Sequence, residues 1–177
     1  ISQPCGTTNN FFGVSFTDEN NGTVVGGGYN GNDYNIILRT TDGGKTWNSQ
    51  SSGTTFALYC VCFSDANNGT TVGEGGTILR TTNGGTTWTS QSSGVTVYLF
   101  SVAFTDEMNG TVVGEGGTII RTTNGGTTWT LQLSGTMISL NCVSFTNENI
   151  GTAVGYNGTI LRTTNGGATW ILQSSGT

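Results

Sequence analysis

Arginines and acids are the residues of this chain best suited to polar chemistry, and both recur in a regular pattern. One position of each repeat holds Arg39, Arg80, Arg121 or Arg162. The guanidinium group of Arg presents paired N–H donors that match a carboxylate, so a ring of arginines could bind an acidic partner. Because a buried Arg is almost always paired, we expect each one instead to bind an acid or strand-end carbonyls in its own or a neighbouring unit.

The acids are also repeated, and this argues against catalysis. Asp18, Asp65 and Asp106 share one repeat position, and Glu74 and Glu115 share another. A glycosidase needs two carboxyl groups at a defined separation, whereas repetition distributes these acids over separate units. The chain has no His, so Ser, Thr or Cys nucleophiles lack their usual base. We predict a protein without catalytic residues, and a glycosidase-like enzyme is the third and least favoured alternative.

Four cysteines could form disulfides: Cys5, Cys60, Cys62 and Cys142. There is no CxxC pair and no His to complete a zinc site, and we predict neither metal nor cofactor. An even number of cysteines in a chain rich in Ser, Thr and Asn favours an oxidising compartment, so the predicted location is secreted or cell surface, extracellular or periplasmic. Three pairings are possible. A Cys60–Cys142 bridge is one candidate, because the two occupy equivalent positions of their units.

A repeat unit positions all of these residues. Trp47, Trp88, Trp129 and Trp170 are each 41 residues apart and end the segments TTDGGKTW or TTNGG(T/A)TW. A unit that cannot bury its own apolar face must stack on its neighbours. The predicted units are approximately 6–52, 53–93, 94–134 and 135–177, with 1–5 as an extra outer-strand segment.

Each unit reads as four short strands. In the second unit the predicted strands are 58–63, 70–72, 77–82 and 87–92, and Asn68-Gly69 is predicted to form a type I′ turn. Residues of one face of the first strand are predicted to be core, because side chains alternate with period two. They are Val14, Val61, Val102 and Val143 with Phe16, Phe63, Phe104 and Phe145.

Four antiparallel strands in 41 residues, with no helical period, match one blade of a β-propeller. The predicted fold class is all-β, a propeller-like array of four blades, each a four-stranded antiparallel sheet. The outer-strand tail occurs a fifth time at Ser2–Gly6. Either this copy latches the ring shut, or the chain is cut from a longer array and its ends stay open.

The turn pattern (S/T)-x-(D/N)-x-G-x-T-W resembles the Asp-box, or BNR repeat, a hairpin between the outer two strands of propeller blades. The whole unit looks like that of the photosystem II stability/assembly factor family and its relatives among secreted bacterial proteins. This resemblance implies protein partners, and it implies structural roles for the Asp-box residues. These are Asp42, Asn83, Asn124 and Asn165 with Trp47, Trp88, Trp129 and Trp170.

The candidate ligand site is the place where the repeat is least regular. The first unit has six extra residues in the loop 26–35, and binding residues often lie on loops of a rigid scaffold. If the ring closes, this loop and the fourth unit share one rim. The predicted ligand-binding residues, suited to a sugar or a peptide, are Tyr29, Asn30, Asn32, Asp33, Tyr34, Tyr156 and Asn157.

Composition limits the possible partners. A net charge of −5 with 8% charged residues excludes a basic nucleic-acid footprint, and no apolar run approaches the roughly 20 residues of a membrane span. We therefore predict a non-catalytic extracellular scaffold for protein or glycan partners. The alternative is a self-assembling subunit of a fibre or coat, joined through its terminal strands. Possible glycosylation sites are Asn21, Asn68, Asn109 and Asn157.

Overall fold

The computed structural model describes residues 5–28 and 35–174, and these residues form four antiparallel sheets of four strands each. Blade 1 contains β1 (Asn10–Phe16), β2 (Gly22–Gly27), β3 (Ile36–Thr40) and β4 (Asn48–Gln50). Blade 2 contains β5 (Leu58–Phe63), β6 (Gly69–Gly73), β7 (Ile78–Thr81) and β8 (Thr89–Gln91). Blade 3 contains β9 (Leu99–Phe104), β10 (Gly110–Gly114), β11 (Ile119–Thr122) and β12 (Thr130–Gln132). Blade 4 contains β13 (Leu140–Phe145), β14 (Gly151–Gly155), β15 (Ile160–Thr163) and β16 (Ile171–Gln173). The predicted fold class is confirmed.

The blades follow one another in chain order, and each strand pairs with the next one in sequence. Adjacent blades touch through their first strands: β1 packs on β5, β5 on β9 and β9 on β13. Within the described residues no comparable packing joins β13 to β1. The four blades therefore form an open array, in which blades 1 and 4 are the two ends.

The hydrophobic core lies between blades. Where two blades meet, we call the face that the earlier blade contributes its trailing face and the face that the later blade contributes its leading face. Between blades 2 and 3 the trailing face supplies Val72 and Ile78, and the leading face supplies Leu99, Val102 and Ile120. The contacts on either side of this pair use equivalent residues. Fully burying one such side chain contributes about 1.5–3 kcal/mol, so the stacking of blades is the main source of stability.

An aromatic pair reinforces each blade. Phe63 and Trp88 meet edge to face, with ring centroids 6.0 Å apart, and the other three blades repeat this pair. The Phe63 ring occupies the space beside Gly69, where an added Cβ would lie 2.6 Å from it. Gly69 has no positive φ, so the predicted type I′ turn is wrong. This glycine makes room for a ring, and an aspartate organises the turn before it, as described below.

In blade 1 the predicted core residues of the first strand are exposed. Val102 is 4% exposed, whereas Val14 is 61% and Phe16 is 47% exposed. The prediction that Val14 and Phe16 are core residues is therefore wrong. The physical reason is that both lie on the leading face of blade 1, and no described blade precedes it.

The extra tail segment does not latch the ring within the described residues. Only Cys5 and Gly6 of this segment are described, and neither lies in a strand. Gly6 has φ +71°, close to the +70° of Gly53 in the same tail position of blade 1, so the repeat extends to this residue. Blade 4 already has its own fourth strand, β16, which leaves no vacant strand position for a latch.

Candidate functional site

The Asp-box hairpins join the third and fourth strands of each blade, and hydrogen bonds within the turn hold the acid. In blade 1 the Asp42 carboxylate accepts from the Thr46 backbone N–H at 2.9 Å, the Thr46 hydroxyl at 2.7 Å and the Thr40 hydroxyl at 2.8 Å. Gly44 donates its N–H to the Thr40 hydroxyl and has φ +82°, a conformation that glycine adopts without steric cost. Asp42 therefore closes a turn.

The three asparagine versions keep this network by reversing one hydrogen bond. The Asn83 side-chain oxygen accepts from the Thr87 N–H at 2.9 Å, while its Nδ2 donates to the Thr87 hydroxyl at 2.8 Å. Asn124 and Asn165 make the same contacts. A threonine hydroxyl both donates and accepts, which explains why Asp and Asn serve equally well here.

The Asp42 carboxyl group titrates at unusually low pH. The Thr46 N–H, followed by the Thr46 and Thr40 hydroxyls, lowers its pKa from 3.8 to about 2. Hydrogen bonds to the charged form favour ionisation. Asp42 is therefore an anion at all ordinary pH values, and this anion is engaged by its own turn.

The aspartates between the first and second strands also stabilise the turns in which they lie. Asp65 accepts from the backbone N–H groups of Asn67 and Asn68, at 2.7 and 2.9 Å, and from the Asn68 side chain at 2.8 Å. Asp18 makes equivalent contacts with Asn20 and Asn21. These hydrogen bonds, the side-chain one first, lower the pKa of both carboxyl groups. The acids lie in separate blades and do not converge.

The same contacts involve three of the predicted glycosylation asparagines. Asn21, Asn68 and Asn109 donate Nδ2 to the aspartate of their own turn. Glycosylation of Asn21, Asn68, Asn109 and Asn157 stays a prediction, and the turn gives the first three a structural role.

The repeated arginine of blade 2 forms a contact between neighbouring blades. Arg80 of blade 2 is 8% exposed, and its guanidinium donates to the Glu107 carbonyl oxygen of blade 3 at 3.0 Å. It also contacts Thr70 and lies over the Phe104 ring, 5.1 Å from its centroid. The prediction that these arginines pair with strand-end carbonyls of a neighbouring blade is confirmed for Arg80. Arg162 is exposed, because no described blade follows blade 4.

The predicted ligand loop can be located only in part. Tyr29, Asn30, Asn32, Asp33 and Tyr34 lie outside the described residues. Tyr156 and Asn157 form the turn between β14 and β15; Tyr156 is 61% exposed and Asn157 has φ +54°. A shared rim of blades 1 and 4 required a closed ring, and the described residues do not close one. The site stays a prediction.

All four cysteines are free thiols, so the candidate Cys60–Cys142 bridge is not formed. The two residues occupy β5 and β13, and β9 lies between these strands. A disulfide requires Cα atoms within about 7 Å, which strands separated by another strand do not provide. Burial raises the pKa of the Cys60 and Cys62 thiols, which disfavours their reactive thiolate forms.

Four aromatic side chains form a continuous surface across blades 1 to 3, and we call it the aromatic ladder. Tyr59 is its centre, with ring centroids 5.6 Å from Phe12, 5.9 Å from Phe100 and 6.3 Å from Tyr98. Tyr98 and Phe100 also pack on each other at 6.4 Å. Phe12 and Tyr98 remain 43% and 41% exposed. Such a surface offers ring faces and edges to a ligand.

A β-bulge in each first strand presents the ladder. In β5, Leu58 and Cys60 pair with consecutive residues of β6, which leaves Tyr59 as the extra residue. Gly73 permits this geometry, because a Cβ there would collide with the Ala57 carbonyl oxygen. Bulges redirect side chains and often occur next to functional sites. Phe12 and Phe100 occupy the same bulge position, while blade 4 has Asn141 there and the ladder stops.

Two glutamates lie at the same end of the blades as the ladder. Each begins a single 3₁₀ turn, Glu74–Gly76 in blade 2 and Glu115–Gly117 in blade 3. Glu115 is exposed and accepts from the Tyr98 N–H at 3.4 Å, while its own N–H donates to the Tyr98 carbonyl at 2.9 Å. One carboxylate, that of Glu115, therefore lies beside the aromatic ladder at Tyr98.

Sequence reasoning missed this surface. Phe12, Tyr59 and Phe100 follow the first apolar residue of each first strand, and strict alternation makes them ordinary members of a covered strand. The bulge interrupts this alternation. One sequence signal could have revealed the bulge. An aromatic residue recurs directly after the first apolar residue of the first strand in three units, and a Gly ends the second strand that pairs with it.

Stacked four-stranded blades with Asp-box hairpins define a BNR-repeat β-propeller protein. The family model of the photosynthesis system II assembly factor YCF48 matches residues 3–92, 53–137 and 90–173. The chain belongs to this family, and the expected resemblance is confirmed. Among curated protein sequences none matches the chain.

Solved structures show the same fold. YCF48 bound to D1 peptide is 22% identical with a TM-score of 0.77, and 98% of this chain covers 57% of that one. YCF48 from Cyanidioschyzon merolae is 23% identical with a TM-score of 0.73, and 98% of this chain covers 59% of it. The GH74 enzyme of Niastella koreensis is 18% identical with a TM-score of 0.73, and 92% of this chain covers 30% of it. The chain thus spans less than two thirds of these relatives, and the likeness shows the fold alone.

Family membership corrects the predicted location. The matching family model is that of a photosynthesis system II assembly factor, and this finding overturns the predicted secreted or cell-surface location, which is wrong. No helix in residues 5–28 and 35–174 is long and apolar enough to cross a membrane.

Proposed function

We propose that this chain is a non-catalytic binding module that recognises an extended segment of another protein on the aromatic ladder. The single observation that carries the proposal is the unbroken contact of Phe12, Tyr59, Tyr98 and Phe100 across three blades. Ring faces bind cations and apolar groups. Family membership supports a protein partner, since the related YCF48 has been seen with a bound peptide.

The chemistry around the ladder selects the kind of segment. The Glu115 carboxylate contacts Tyr98, Glu74 occupies the equivalent 3₁₀ turn of blade 2, and the chain carries a net charge of −5. A segment with basic and apolar side chains would place its cations over the rings and beside the carboxylates. An acidic segment would be repelled. A glycan remains the second ligand class, because aromatic faces also suit sugar rings, but no described group adds specificity for one.

Peptide binding tests the proposal directly. The D1 peptide is one fluorescent probe, and a 12-residue peptide alternating Arg and Leu, with a matched Glu-Leu version, adds a test of charge. We expect binding of the Arg-Leu peptide to weaken at least tenfold in Tyr59→Ala and Phe100→Ala and to be unchanged in Tyr156→Ala. Equal binding of both charge versions, or loss only in Tyr156→Ala, would overturn the ladder as the site. The second result would favour the predicted loop site.

A further inference from the structure

Two cysteine thiols lie side by side at the contact between blades 2 and 3. Cys60 and Cys62 are alternate residues of β5, and both pack against the core that these two blades share. Val61, which separates them in sequence, belongs to the core between blades 1 and 2. Alternate residues of a strand point to one face, with Cα atoms about 6.6 Å apart. The two thiols are therefore neighbours on the trailing face of blade 2.

The pair faces the first strand of blade 3. The Cys60 thiol donates to the Val102 carbonyl oxygen, with Sγ 3.9 Å from it. The Cys62 thiol makes a hydrogen bond with the backbone of Phe104, the next residue on the same face of β9. Both cysteines are half-buried, so a small solute can reach the sulfur atoms although the core surrounds them.

The fold does not require thiols at these two positions. In the other blades the equivalent pairs are Gly13 with Ser15, Ser101 with Ala103, and Cys142 with Ser144. Small side chains therefore satisfy the packing here, and blade 2 is the one blade that places two sulfur atoms together. Such a departure from the repeat, at positions where packing needs only a small residue, indicates a role beyond packing.

Two thiolates suit a soft metal ion with few ligands. Thiolates favour copper(I), zinc and iron–sulfur clusters, but structural zinc sites and iron–sulfur clusters normally use four protein ligands. Residues 5–28 and 35–174 contain no group of three or more His, Cys, Asp or Glu side chains that could hold a metal ion. Copper(I) is the ion of this set that two thiolates on opposite sides can satisfy.

We propose that Cys60 and Cys62 form a two-thiolate site for one copper(I) ion between blades 2 and 3. A disulfide would draw the sulfur atoms to about 2.05 Å. An ion held by two bonds of about 2.3 Å keeps them up to ~4.6 Å apart, which suits alternate residues of an extended strand better. The sequence predicts no metal because it lacks the ligands of a zinc site, and a copper(I) site does not need them.

Binding of the ion displaces the two thiol protons, because the thiolate is the metal ligand. Burial raises the pKa of the Cys60 and Cys62 thiols, so both sulfur atoms carry protons at neutral pH until the ion binds. The site uses no ring of the aromatic ladder, and the inference is independent of the proposed peptide site.

Competition for copper(I) tests the proposal with the full chain. The probe is copper(I) as its coloured bicinchoninate complex, kept reduced and free of oxygen. We expect the wild type to withdraw one ion per chain, with the ultraviolet absorption of a copper–thiolate bond. Cys60→Ser and Cys62→Ala should each weaken binding at least tenfold. Equimolar zinc should not displace the copper, because two thiolates leave zinc short of ligands.

Blade 3 supplies the matched control for folding. It carries Ser101 and Ala103 at the two positions, so the double variant Cys60→Ser/Cys62→Ala copies residues that already pack in this fold. It should keep the wild-type circular dichroism spectrum and lose the copper site. Cys142→Ser leaves the pair intact and should bind copper as the wild type does.

Three results would overturn the proposal. The first is a wild type that withdraws no copper from the complex. The second is wild-type affinity in the double variant, which would place the ion elsewhere. The third is loss of binding in Cys142→Ser or displacement by equimolar zinc, since either would mean that the site has further ligands.

Discussion

The guanidinium of Arg80 in blade 2 donates a 3.0 Å hydrogen bond to the carbonyl oxygen of Glu107 in blade 3. This carbonyl belongs to the turn after the first strand of blade 3, so one side chain ties the body of one blade to the turn of the next. Arg162 has the same position in blade 4 but is exposed. The two arginines are therefore a matched pair that differ in whether a blade follows them.

Replacing Arg80 should cost far more stability than replacing Arg162. Arg80→Ala removes a charged hydrogen bond and a cation–π contact, together worth about 2–4 kcal/mol, whereas Arg162→Ala should lie within about 0.5 kcal/mol of the wild type. Urea unfolding at low protein concentration measures both. Equal losses would contradict the open array, because they would require a following blade at Arg162.

The apolar faces give a second matched pair. Leu99 is fully buried on the leading face of blade 3, and Phe11 is 41% exposed in the same position of blade 1. Leu99→Ala should lower the free energy of unfolding by about 2–5 kcal/mol, the cost of a core cavity. Phe11→Ala should cost less than about 1 kcal/mol, although it removes the larger side chain. If Phe11→Ala were the more damaging change, the leading face of blade 1 would have to be covered.

Acid should weaken the first hairpin through Asp42. Its folded pKa of about 2 lies below the 3.8 of the free group, so its contribution to stability is complete above pH 3.8 and is lost as the pH falls through 2. The carboxyl carbon shift in NMR reports this pKa directly. A midpoint near 3.8 would show that the Thr46 and Thr40 hydrogen bonds do not form in solution.

Exchanging the Asp-box residues provides the control for this titration. Asp42→Asn keeps the geometry already used by Asn83 and removes the titrating group, so its stability should fall less between pH 4 and pH 2 than that of the wild type. Asn83→Asp should add a second carboxyl with a lowered pKa and increase the fall. Opposite signs for the two variants are the expected result. Identical acid profiles in all three proteins would assign acid sensitivity to other carboxyl groups.

Local periodicity predicted the blades, because apolar strands and Asp-box turns repeat at a fixed spacing. The same local signal could not show whether the array closes, since closure depends on the angle between blades. It therefore placed Val14 and Phe16 in a core that blade 1 does not complete. The ladder was missed for a related reason. A bulge at Tyr59 depends on how closely two backbones approach, and alternation alone does not encode this.

Gly114 should therefore control the ladder as well as the stability of blade 3. A Cβ at this position would collide with the backbone carbonyl of Tyr98, so Gly114→Ala must displace the strand that carries Tyr98 and Phe100. We expect a loss of about 1–3 kcal/mol, a changed near-ultraviolet circular dichroism spectrum and weaker binding of the Arg-Leu peptide.

The matched control is Gly116→Ala, two residues along the same turn. Gly116 has φ +64° and open space around its Cβ position, so alanine there incurs only the backbone strain of about 1–2 kcal/mol. Its stability loss should resemble that of Gly114→Ala, while the aromatic spectrum and the peptide affinity stay at wild-type values. Equal effects of both variants on affinity would mean that binding follows overall stability. Loss of affinity in Gly114→Ala alone would tie recognition to the bulge that presents the rings.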